Sequence, residues 1–171
     1  KPIIPDYTVD ITEFGAVSDG TTDCSAAIQK ALDAARDCRG CVMVPPGEYL
    51  CADLKMYRNT SLVGFDSWCF RREGSSKLIL NRSDAKCLLD ITGAVGCAVK
   101  NLSLHGAKLG EQIHGIMLNH PIYDAAKEED TPTIENCFVG DFSGWKRLPE
   151  FELVRRPGGG VWEGRFRAAR I

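Results

Sequence analysis

Apolar and polar residues change their spacing along the chain, and each spacing predicts a different element. Residues 8–17 (TVDITEFGAV) alternate, which predicts a β-strand that ends at Gly15. The turn cluster SDGTTD follows. Apolar residues then recur at helical spacing across 24–37, which predicts an amphipathic helix. Asp23, or the threonine before it, is the predicted N-cap, and Gly40 is the predicted C-terminal stop.

After Gly40 the chain consists of short apolar runs separated by glycine or proline. Such runs predict strands that cannot bury a face alone and must therefore stack. Asn-Gly or Asp-Gly turns between alternating runs, which are typical of hairpins, do not occur in the sequence. This pattern favours a parallel solenoid over an antiparallel sandwich. The predicted strands are Cys41–Val44, Glu48–Cys51, Ser61–Val63, Lys77–Leu80, Cys87–Ile91, Ala98–Leu104, Gly115–Leu118 and Thr133–Val139.

A loose repeat supports the solenoid. The segments CVMVPPG, TSLVGFD, VKNLSLHG and IENCFVGD each predict a strand that ends at a glycine or a bend, and Asn101 and Asn136 occupy similar places in two of them. The first two of these strands begin about 20 residues apart, a plausible length for one coil. Later intervals are longer and predict inserted loops, of which the largest is the polar segment 119–131.

Charge and hydropathy exclude some classes of partner. The formal net charge is −2, but residues 145–171 carry seven Lys or Arg against three Glu, so residues 1–144 have a net charge of −6. A surface for nucleic acid is therefore not expected on the main body. No apolar run approaches the roughly 18 residues that span a bilayer, and no signal-peptide h-region follows Lys1. We expect a globular domain without a nucleic-acid or membrane partner.

Eight cysteines leave two interpretations, a disulfide framework or buried thiols. Buried thiols are favoured because Cys87, Cys97 and Cys137 lie in or beside apolar runs. Cys38 and Cys41 have CxxC spacing, but no second pair or histidines follow at zinc-ligand spacing. This CxxC also leaves a helix and enters a strand, the reverse of a redox motif. We expect no metal and no cofactor.

Residues 10–35, DITEFGAVSDGTTDCSAAIQKALDAA, resemble the opening of the pectate-lyase-like β-helix superfamily. That opening reads D-[VI]-x-x-[FY]-G-A-x-x-D-G-x-x-D and continues into an Ala-rich helix of AIQ-A-x-x-A type. The match extends through GCVMVPPGEY at 40–49, LVG at 62–64 and VKNLSLHG at 99–106. The resemblance covers roughly residues 8–144. It implies an all-β fold, a right-handed parallel β-helix with an N-terminal amphipathic capping helix.

A solenoid end exposes apolar surface and unpaired strand edges, so a cap is expected there. The best-matched residues are therefore interpreted as a lid, and no catalytic role is expected for Asp19 or Asp23. Polysaccharide lyases, glycosidases, C5-epimerases and phage tailspikes share this opening. Lyases of the superfamily typically use an Arg or Lys base and hydrolases use paired carboxylates, and neither set can be matched here.

Two function hypotheses remain. The first is a carbohydrate-active enzyme of lyase or glycoside hydrolase type that acts on a polysaccharide or oligosaccharide. The second is a non-catalytic carbohydrate-binding or tailspike-type structural module.

Candidate chemistry lies on loops. All three histidines fall within 16 positions. Histidine transfers protons near neutrality, and a neighbouring Lys or Glu could be tuned beside it. A metal site and ordinary loop residues are the alternatives. Aromatic and basic residues after LVGFD could stack on and pair with an acidic sugar, or simply pack on their own coil. The candidate catalytic residues are His105, Lys108, Glu111 and His114. The candidate substrate-binding residues are Trp68, Arg71, Arg72, His120 and Asp124.

Residues 145–171 lose the strand-and-glycine rhythm and turn basic. We interpret 1–144 as the N-terminal part of a β-helix domain and 145–171 as an atypical basic tail, either linker-derived, out of frame or a terminal cap. This predicts a fragment with little catalytic activity of its own. We also expect homo-oligomers through the open end of the β-helix, or a tail folded across that end. The compartment stays open: the resemblance favours an extracellular protein, and wholly free cysteines favour a cytoplasmic one.

Overall fold

The computed structural model describes residues 7–65, 73–118 and 132–142, together with the backbone of 166–167. Fourteen strands and one α-helix are found in these residues. In chain order they are β1 (Thr8–Asp10), β2 (Asp19–Asp23), α1 (Ser25–Arg36), β3 (Cys41–Met43), β4 (Gly47–Cys51), β5 (Leu54–Lys55), β6 (Ser61–Val63), β7 (Ser76–Leu80), β8 (Cys87–Asp90), β9 (Ala98–Lys100), β10 (Ser103–His105), β11 (His114–Met117), β12 (Thr133–Glu135), β13 (Phe138–Gly140) and β14 (Phe166–Arg167).

The strands form three parallel sheets that the chain visits in turn. Sheet A has the order β1-β3-β6-β9-β12-β14, sheet B the order β13-β10-β7-β4-β2, and sheet C the order β11-β8-β5. Every ladder between described strands is parallel. A chain that passes repeatedly through three parallel sheets is a parallel β-helix, so the predicted solenoid is confirmed.

The core consists of aligned apolar side chains from successive coils. In sheet A, Val42 pairs with Leu62, Leu62 with Val99 and Val99 with Ile134, and all four are buried. Because apolar side chains of successive coils stack on one another, each short strand has the neighbours that it needs to bury one face. The corresponding buried columns are Tyr49, Leu78 and Leu104 in sheet B, and Leu54 and Leu89 in sheet C.

The first strand is shorter than the alternation predicts. After β1, residues Ile11–Phe14 form a 3₁₀ helix, because the Asp10 carboxylate accepts from Thr12 N at 2.8 Å and starts a turn. Gly15 ends that turn at φ 96°. Residues 19–23, which were predicted to form a turn, instead form β2 in sheet B. Asp19 Oδ1 accepts from Thr21 N and Thr22 N inside this irregular strand.

The amphipathic helix is confirmed within one residue at each end, and its apolar face is buried (Ile28, Ala31, Leu32, Ala35). Asp23 Oδ1 accepts from Ser25 N at 3.0 Å, although Cys24 is the N-cap residue itself. The left-handed residue that follows the helix is Arg39 (φ 53°) rather than Gly40. Gly40 is needed for a different reason: a Cβ there would lie 2.9 Å from the Tyr7 ring and 3.1 Å from the Tyr7 carbonyl.

Helix α1 contacts β1, β3 and β5. It also hydrogen-bonds to the outer edge of sheet C, where β5 is the last strand. Gln29 Oε1 accepts from Lys55 N at 2.8 Å, Gln29 Nε2 donates to Lys55 O at 3.1 Å, and Ser25 Oγ accepts from Ala52 N at 3.0 Å. Side chains of α1 therefore take the place of a neighbouring strand along this edge. A cap over the whole first coil stays a prediction.

Two predicted strands are each divided in two. Asn101 separates β9 from β10 and Asn136 separates β12 from β13, and both have left-handed backbones (φ 54° and 51°) that end a strand. Asn136 Nδ2 donates to Asn101 Oδ1 at 2.9 Å, so the two asparagines stack across successive coils. The matching places seen in the sequence are therefore one structural position, the turn from sheet A to sheet B.

Cysteines mostly behave as buried thiols. Seven are described, and no disulfide joins any two of these seven; Cys24, Cys51, Cys87, Cys97 and Cys137 are buried. Cys38 is exposed and Cys41 is half-buried, so the CxxC pair is the exception to the predicted burial of most cysteines. Cys69 lies outside the described residues. No helix in the described part of the chain is long and apolar enough to span a membrane.

Candidate functional site

The four predicted catalytic residues lie in one turn between sheets B and C or at its two ends. His105 is the last residue of β10, Lys108 and Glu111 are in the turn, and His114 is the first residue of β11. We call the stack of turns from sheet B to sheet C the B–C corner; it comprises residues 52–53, 81–86, 106–113 and 141–142, together with Asp23 and His105 at the ends of β2 and β10. The five predicted substrate-binding residues, Trp68, Arg71, Arg72, His120 and Asp124, lie outside the described residues.

His105 is joined to the next coil through Asp141. Its Nε2 lies 2.9 Å from Asp141 Oδ2, and its Nδ1 accepts from Ala107 N at 3.1 Å. Both ring nitrogens therefore have partners within the corner, which orients the imidazole across two coils. About a quarter of the His105 side chain (26%) and 38% of the Asp141 side chain are exposed, so the pair remains open to solvent.

Gly106 allows the close approach of these two coils. Its N donates to Gly140 O at 2.8 Å, and an added Cβ would overlap the Asp141 carbonyl and lie 2.7 Å from Phe142 Cα. Any side chain at 106 would push the two turns apart. The glycine therefore positions the imidazole of His105 against its carboxylate.

Lys108 and Glu111 are both exposed on the turn. Lys108 has a left-handed backbone (φ 56°), and its N donates to Asp141 O at 3.1 Å. The turn rests on the preceding coil, because Gly110 packs so closely that a Cβ there would overlap the Ser83 carbonyl. An ammonium and a carboxylate are thus presented to solvent within a few residues of His105.

The two preceding coils contribute an ion pair to the same corner. Arg82 Nη2 donates to Asp53 Oδ2 at 2.7 Å, and the other oxygen of Asp53 accepts from Lys86 N at 3.0 Å and Cys87 N at 3.2 Å. Asp53 is held in the left-handed region (φ 51°) by these bonds. Because the carboxylate has three donors, its position is well determined, and the guanidinium is held beside it.

In the first coil, the corresponding charged residue is Asp23 at the end of β2. Hydrogen bonds from Ser25 hold the pKa of Asp23 below its usual value, with smaller contributions from the Asn81 side chain and the Arg82 charge. The carboxylate is therefore ionised throughout the neutral range. From the first coil to the fifth, the corner presents Asp23, Asp53 with Arg82, the 105–111 turn and Asp141.

His114 lies on sheet C, whereas His105 lies on sheet B. Its N donates to Lys86 O at 3.1 Å, and its Cα aligns with Cys87. The two histidines therefore stand on different faces of the β-helix. Among the described residues, no three His, Cys, Asp or Glu side chains are placed to hold a metal ion.

The sequence reasoning missed Asp53, Arg82 and Asp141 as site residues. A signal for two of them exists, since Asp53 and Asp141 each follow a short strand directly or by one residue, and aspartate tolerates the left-handed turn conformation better than most residues. Nothing in the sequence pairs Arg82 with Asp53, because the two are brought together only when one coil stacks on the next.

Sequence comparison shows which known proteins the opening of the chain is similar to. Residues 8–78 match the family model described as rhamnogalacturonase A/epimerase, pectate lyase-like. "Probable rhamnogalacturonase C" from Aspergillus flavus is 44% identical over 85 residues, which cover 47% of this chain and 18% of that protein. The predicted resemblance to the pectate-lyase-like superfamily is thereby confirmed.

Structural comparison supports the fold. The A-module of the Azotobacter vinelandii mannuronan C-5 epimerase AlgE4 superposes with a TM-score of 0.61 at 22% identity, over 79% of this chain and 39% of that one. The A-module of epimerase AlgE6 gives the same TM-score at 24% identity, over 78% and 37%. The fold is a right-handed parallel β-helix, as predicted. The chain spans less than half the length of each of these relatives.

Proposed function

We propose that the protein acts on an acidic polysaccharide of the pectin type, which lies along the B–C corner. The observation that carries this proposal is the row of charged side chains from successive coils, with Arg82 held by Asp53 and His105 held by Asp141. A linear polymer that follows the β-helix axis would meet these groups in turn. The similarity to a protein named as a rhamnogalacturonase favours rhamnogalacturonan as the first substrate to test.

The corner holds groups for either cleavage chemistry. Removal of a proton α to a uronate carboxylate needs a base and a cation beside the carboxylate, and Lys108 and Arg82 are cations of the required kind. Hydrolysis needs two carboxyl groups on opposite sides of the scissile bond, for which Asp53, Glu111 and Asp141 are the candidates. We propose a lyase or glycoside hydrolase reaction, with His105 in the corner and His114 at the start of β11 as the predicted proton-transfer groups.

The test is a binding and turnover screen of the 171-residue chain on rhamnogalacturonan, polygalacturonate, alginate and fructan. Release of reducing ends reports any cleavage, and ultraviolet absorbance of unsaturated uronate separates a lyase from a hydrolase. We expect binding of the two pectic polymers, weakened at least fivefold by Arg82→Gln, an effect of about 1 kcal/mol. Lys30→Gln, on the exposed face of α1, is the matched control. No binding of either pectic polymer would refute the proposal.

Turnover by this chain is expected to be weak or absent. A β-helix groove collects its acid, base and positioning groups from several stacked coils, and they must be held close to productive geometry. Robust turnover by a monomer, lost on His105→Ala or His114→Ala, would show that the histidine turn is itself the catalytic centre.

A non-catalytic carbohydrate-binding or tailspike-type module is the second candidate. The observation that favours it is the engagement of both His105 ring nitrogens within the corner. An imidazole held in this way supports the architecture of the turn. Binding of the pectic polymers that is unaffected by both His105→Ala and His114→Ala would favour this candidate over the enzyme.

We also propose that the chain self-associates or covers its open end with its own tail. Among the described strands, β13 and β11 are the outer strands of sheets B and C, and unpaired edges recruit further strands. The tail reaches the corresponding edge of sheet A, since residues 166–167 pair in parallel with β12. Size-exclusion chromatography with light scattering tests this: the chain truncated after 144 should form larger species than the full chain if the tail is the cover. The boundary at 144 stays a prediction.

A further inference from the structure

A second polar surface lies at a different corner, where the chain passes from sheet C to sheet A. It is a depression of about 510 Å³, lined by the end of α1, by residues 55–59 and by Thr92 and Gly93. These three segments belong to successive coils. We call this surface the C–A depression; its charged lining residues are Arg36, Asp37, Arg39, Lys55 and Arg58.

This surface is positively charged, whereas the rest of the β-helix is negatively charged. Four of the five charged lining residues are cations, whereas residues 1–144 as a whole have a net charge of −6. The cations come from positions up to 22 residues apart in sequence, between 36 and 58. The fold therefore gathers positive charge at one place on an otherwise acidic body, which attracts anions to that place.

Several of these cations are already oriented. The Arg36 guanidinium lies 5.3 Å from the centre of the Tyr57 ring, and its Nε lies 3.1 Å from Asp37 Oδ1. Tyr57 Oη in turn donates to Asp33 Oδ1 at 2.6 Å, which fixes the ring. A guanidinium has five N–H donors, so the bond from Nε leaves Arg36 able to bind a further carboxylate.

Lys55 is anchored from the other side of the depression. Its Nζ donates to Thr92 O at 2.6 Å and lies 3.5 Å from Asp90 Oδ2. These contacts tie the second coil to the third at the floor of the depression. The exposed cations Arg39 and Arg58 lie on left-handed or turn backbone at its rim.

The size and the charge pattern together indicate the class of ligand. The volume lies within the range of small-molecule pockets, roughly 300–1,000 Å³, which is far more than one inorganic anion needs. Asp33, Asp37 and Asp90 stand beside the cations and would repel the closely spaced phosphates of a nucleic acid. A chain of uronic acids carries one carboxylate per sugar and hydroxyl groups between them, which suits spaced cations with polar neighbours.

We infer that the C–A depression is a second binding site for an acidic oligosaccharide, with uronate carboxylates held by Arg36, Arg39 and Arg58. This inference rests on the proposed function, because an acidic polysaccharide is the substrate proposed there. The site is separate from the B–C corner. It holds the polymer at the N-terminal coils and raises its local concentration beside the corner.

The experiment is titration calorimetry of the full chain with a galacturonate oligomer, a neutral galactose oligomer and inorganic phosphate. The double variant Arg39→Gln/Arg58→Gln removes two rim cations without filling the depression. Lys30→Gln/Lys100→Gln removes two cations elsewhere and is the matched control. We expect the double variant to bind the galacturonate oligomer about tenfold more weakly and the control to stay within about twofold of the parent. Circular dichroism shows that each variant is folded.

Three outcomes would overturn the inference: equal affinity of the double variant and the parent, equal affinity for the neutral oligomer, or no binding at all. Displacement of the oligomer by an equal concentration of phosphate would also overturn it and would leave a simple anion site. The variant Arg82→Gln distinguishes a failure of this inference from a failure of the proposed function. Loss of binding in Arg82→Gln alone would support the B–C corner and refute the C–A site; loss in the rim variant alone would do the reverse.

Discussion

Replacing Gln29 by Glu tests whether the helix substitutes for a strand at the edge of sheet C. Gln29 accepts from Lys55 N at 2.8 Å through Oε1, while its Nε2 donates to Lys55 O at 3.1 Å and to Asp33 Oδ1 at 3.0 Å. The substitution keeps the size and the acceptor. It removes both N–H donors and brings a second carboxylate next to Asp33.

The expected effect is a loss of about 2 kcal/mol in the free energy of unfolding at pH 7. Each lost hydrogen bond contributes about 0.5–1.5 kcal/mol, and the partly exposed setting lets water replace part of it. Repulsion from Asp33 favours the protonated form, so the pKa of the new carboxyl in the folded state should exceed its unfolded value of about 4.3. A raised folded pKa means that stability is retained below pH 4.3 and lost as the pH rises.

Urea denaturation at about pH 4 and pH 7 measures both parts of this expectation. Gln29→Met is the matched control, because it leaves Lys55 N and O without their partner but adds no charge; its deficit should be about 1–2 kcal/mol at both pH values. Hydrogen exchange at the Lys55 amide should speed up in both variants. Equal stability of Gln29→Glu and the parent at pH 7, or a deficit that does not change with pH, would refute the reasoning.

Four further predictions concern other parts of the structure. Leu32→Ala should lower the free energy of unfolding by about 2–5 kcal/mol, because Leu32 is fully buried, whereas Lys30→Ala should change it by less than about 0.5 kcal/mol in the same urea titration. Asn136→Gly keeps the left-handed backbone but removes the bond to the asparagine of the previous coil, so thermal unfolding should show a loss of about 1 kcal/mol. Burial raises the pKa of the Cys87 thiol to about 12, so alkylation at about pH 8 should be slow in the native protein and fast in denaturant, as mass spectrometry of labelled peptides can show. Because the folded pKa of Asp23 is lowered, the stabilisation from its carboxylate is present above about pH 4 and is lost as the pH falls; Asp23→Asn should therefore show a shallower loss of stability between about pH 6 and pH 2.

The sequence predicted the architecture well because a β-helix is specified by local signals repeated along the chain. Apolar runs interrupted by glycine or asparagine identify most strands, and the helical spacing identifies α1. The boundaries failed where one side chain redirects the backbone. Asp10 ends the first strand and starts a 3₁₀ helix, and Asn101 and Asn136 each divide one predicted strand in two. These effects depend on single hydrogen bonds or single left-handed residues, which hydrophobic periodicity does not register.

The candidate site was harder to predict from the sequence than the fold. His105, Lys108, Glu111 and His114 were found because they are close together in the chain, and they lie in one turn or at its ends. Their partners were not found. Asp141 reaches His105, and Asp53 reaches Arg82, only through the stacking of one coil on another. That stacking depends on coil lengths that vary with the inserted loops, so the side chains that meet across coils cannot be read from one strand at a time.

This dependence on stacking has a consequence for the chemistry of β-helices in general. Within one coil, the turn residues set which groups are presented, but the distance between groups on successive coils is set by the parallel ladder, with strands about 4.8 Å apart. A pair such as His105 and Asp141 is therefore positioned by the register of β10 against β13, in which His105 aligns with Gly140. Shifting that register by one residue would turn the His105 side chain toward the core and break the pair, because alternate residues face opposite sides of a strand. The close approach at Gly106 resists such a shift. Substituting Gly106 should thus disturb the B–C corner more than the hydrophobic core, since the buried columns of sheets A and C do not pass through the corner.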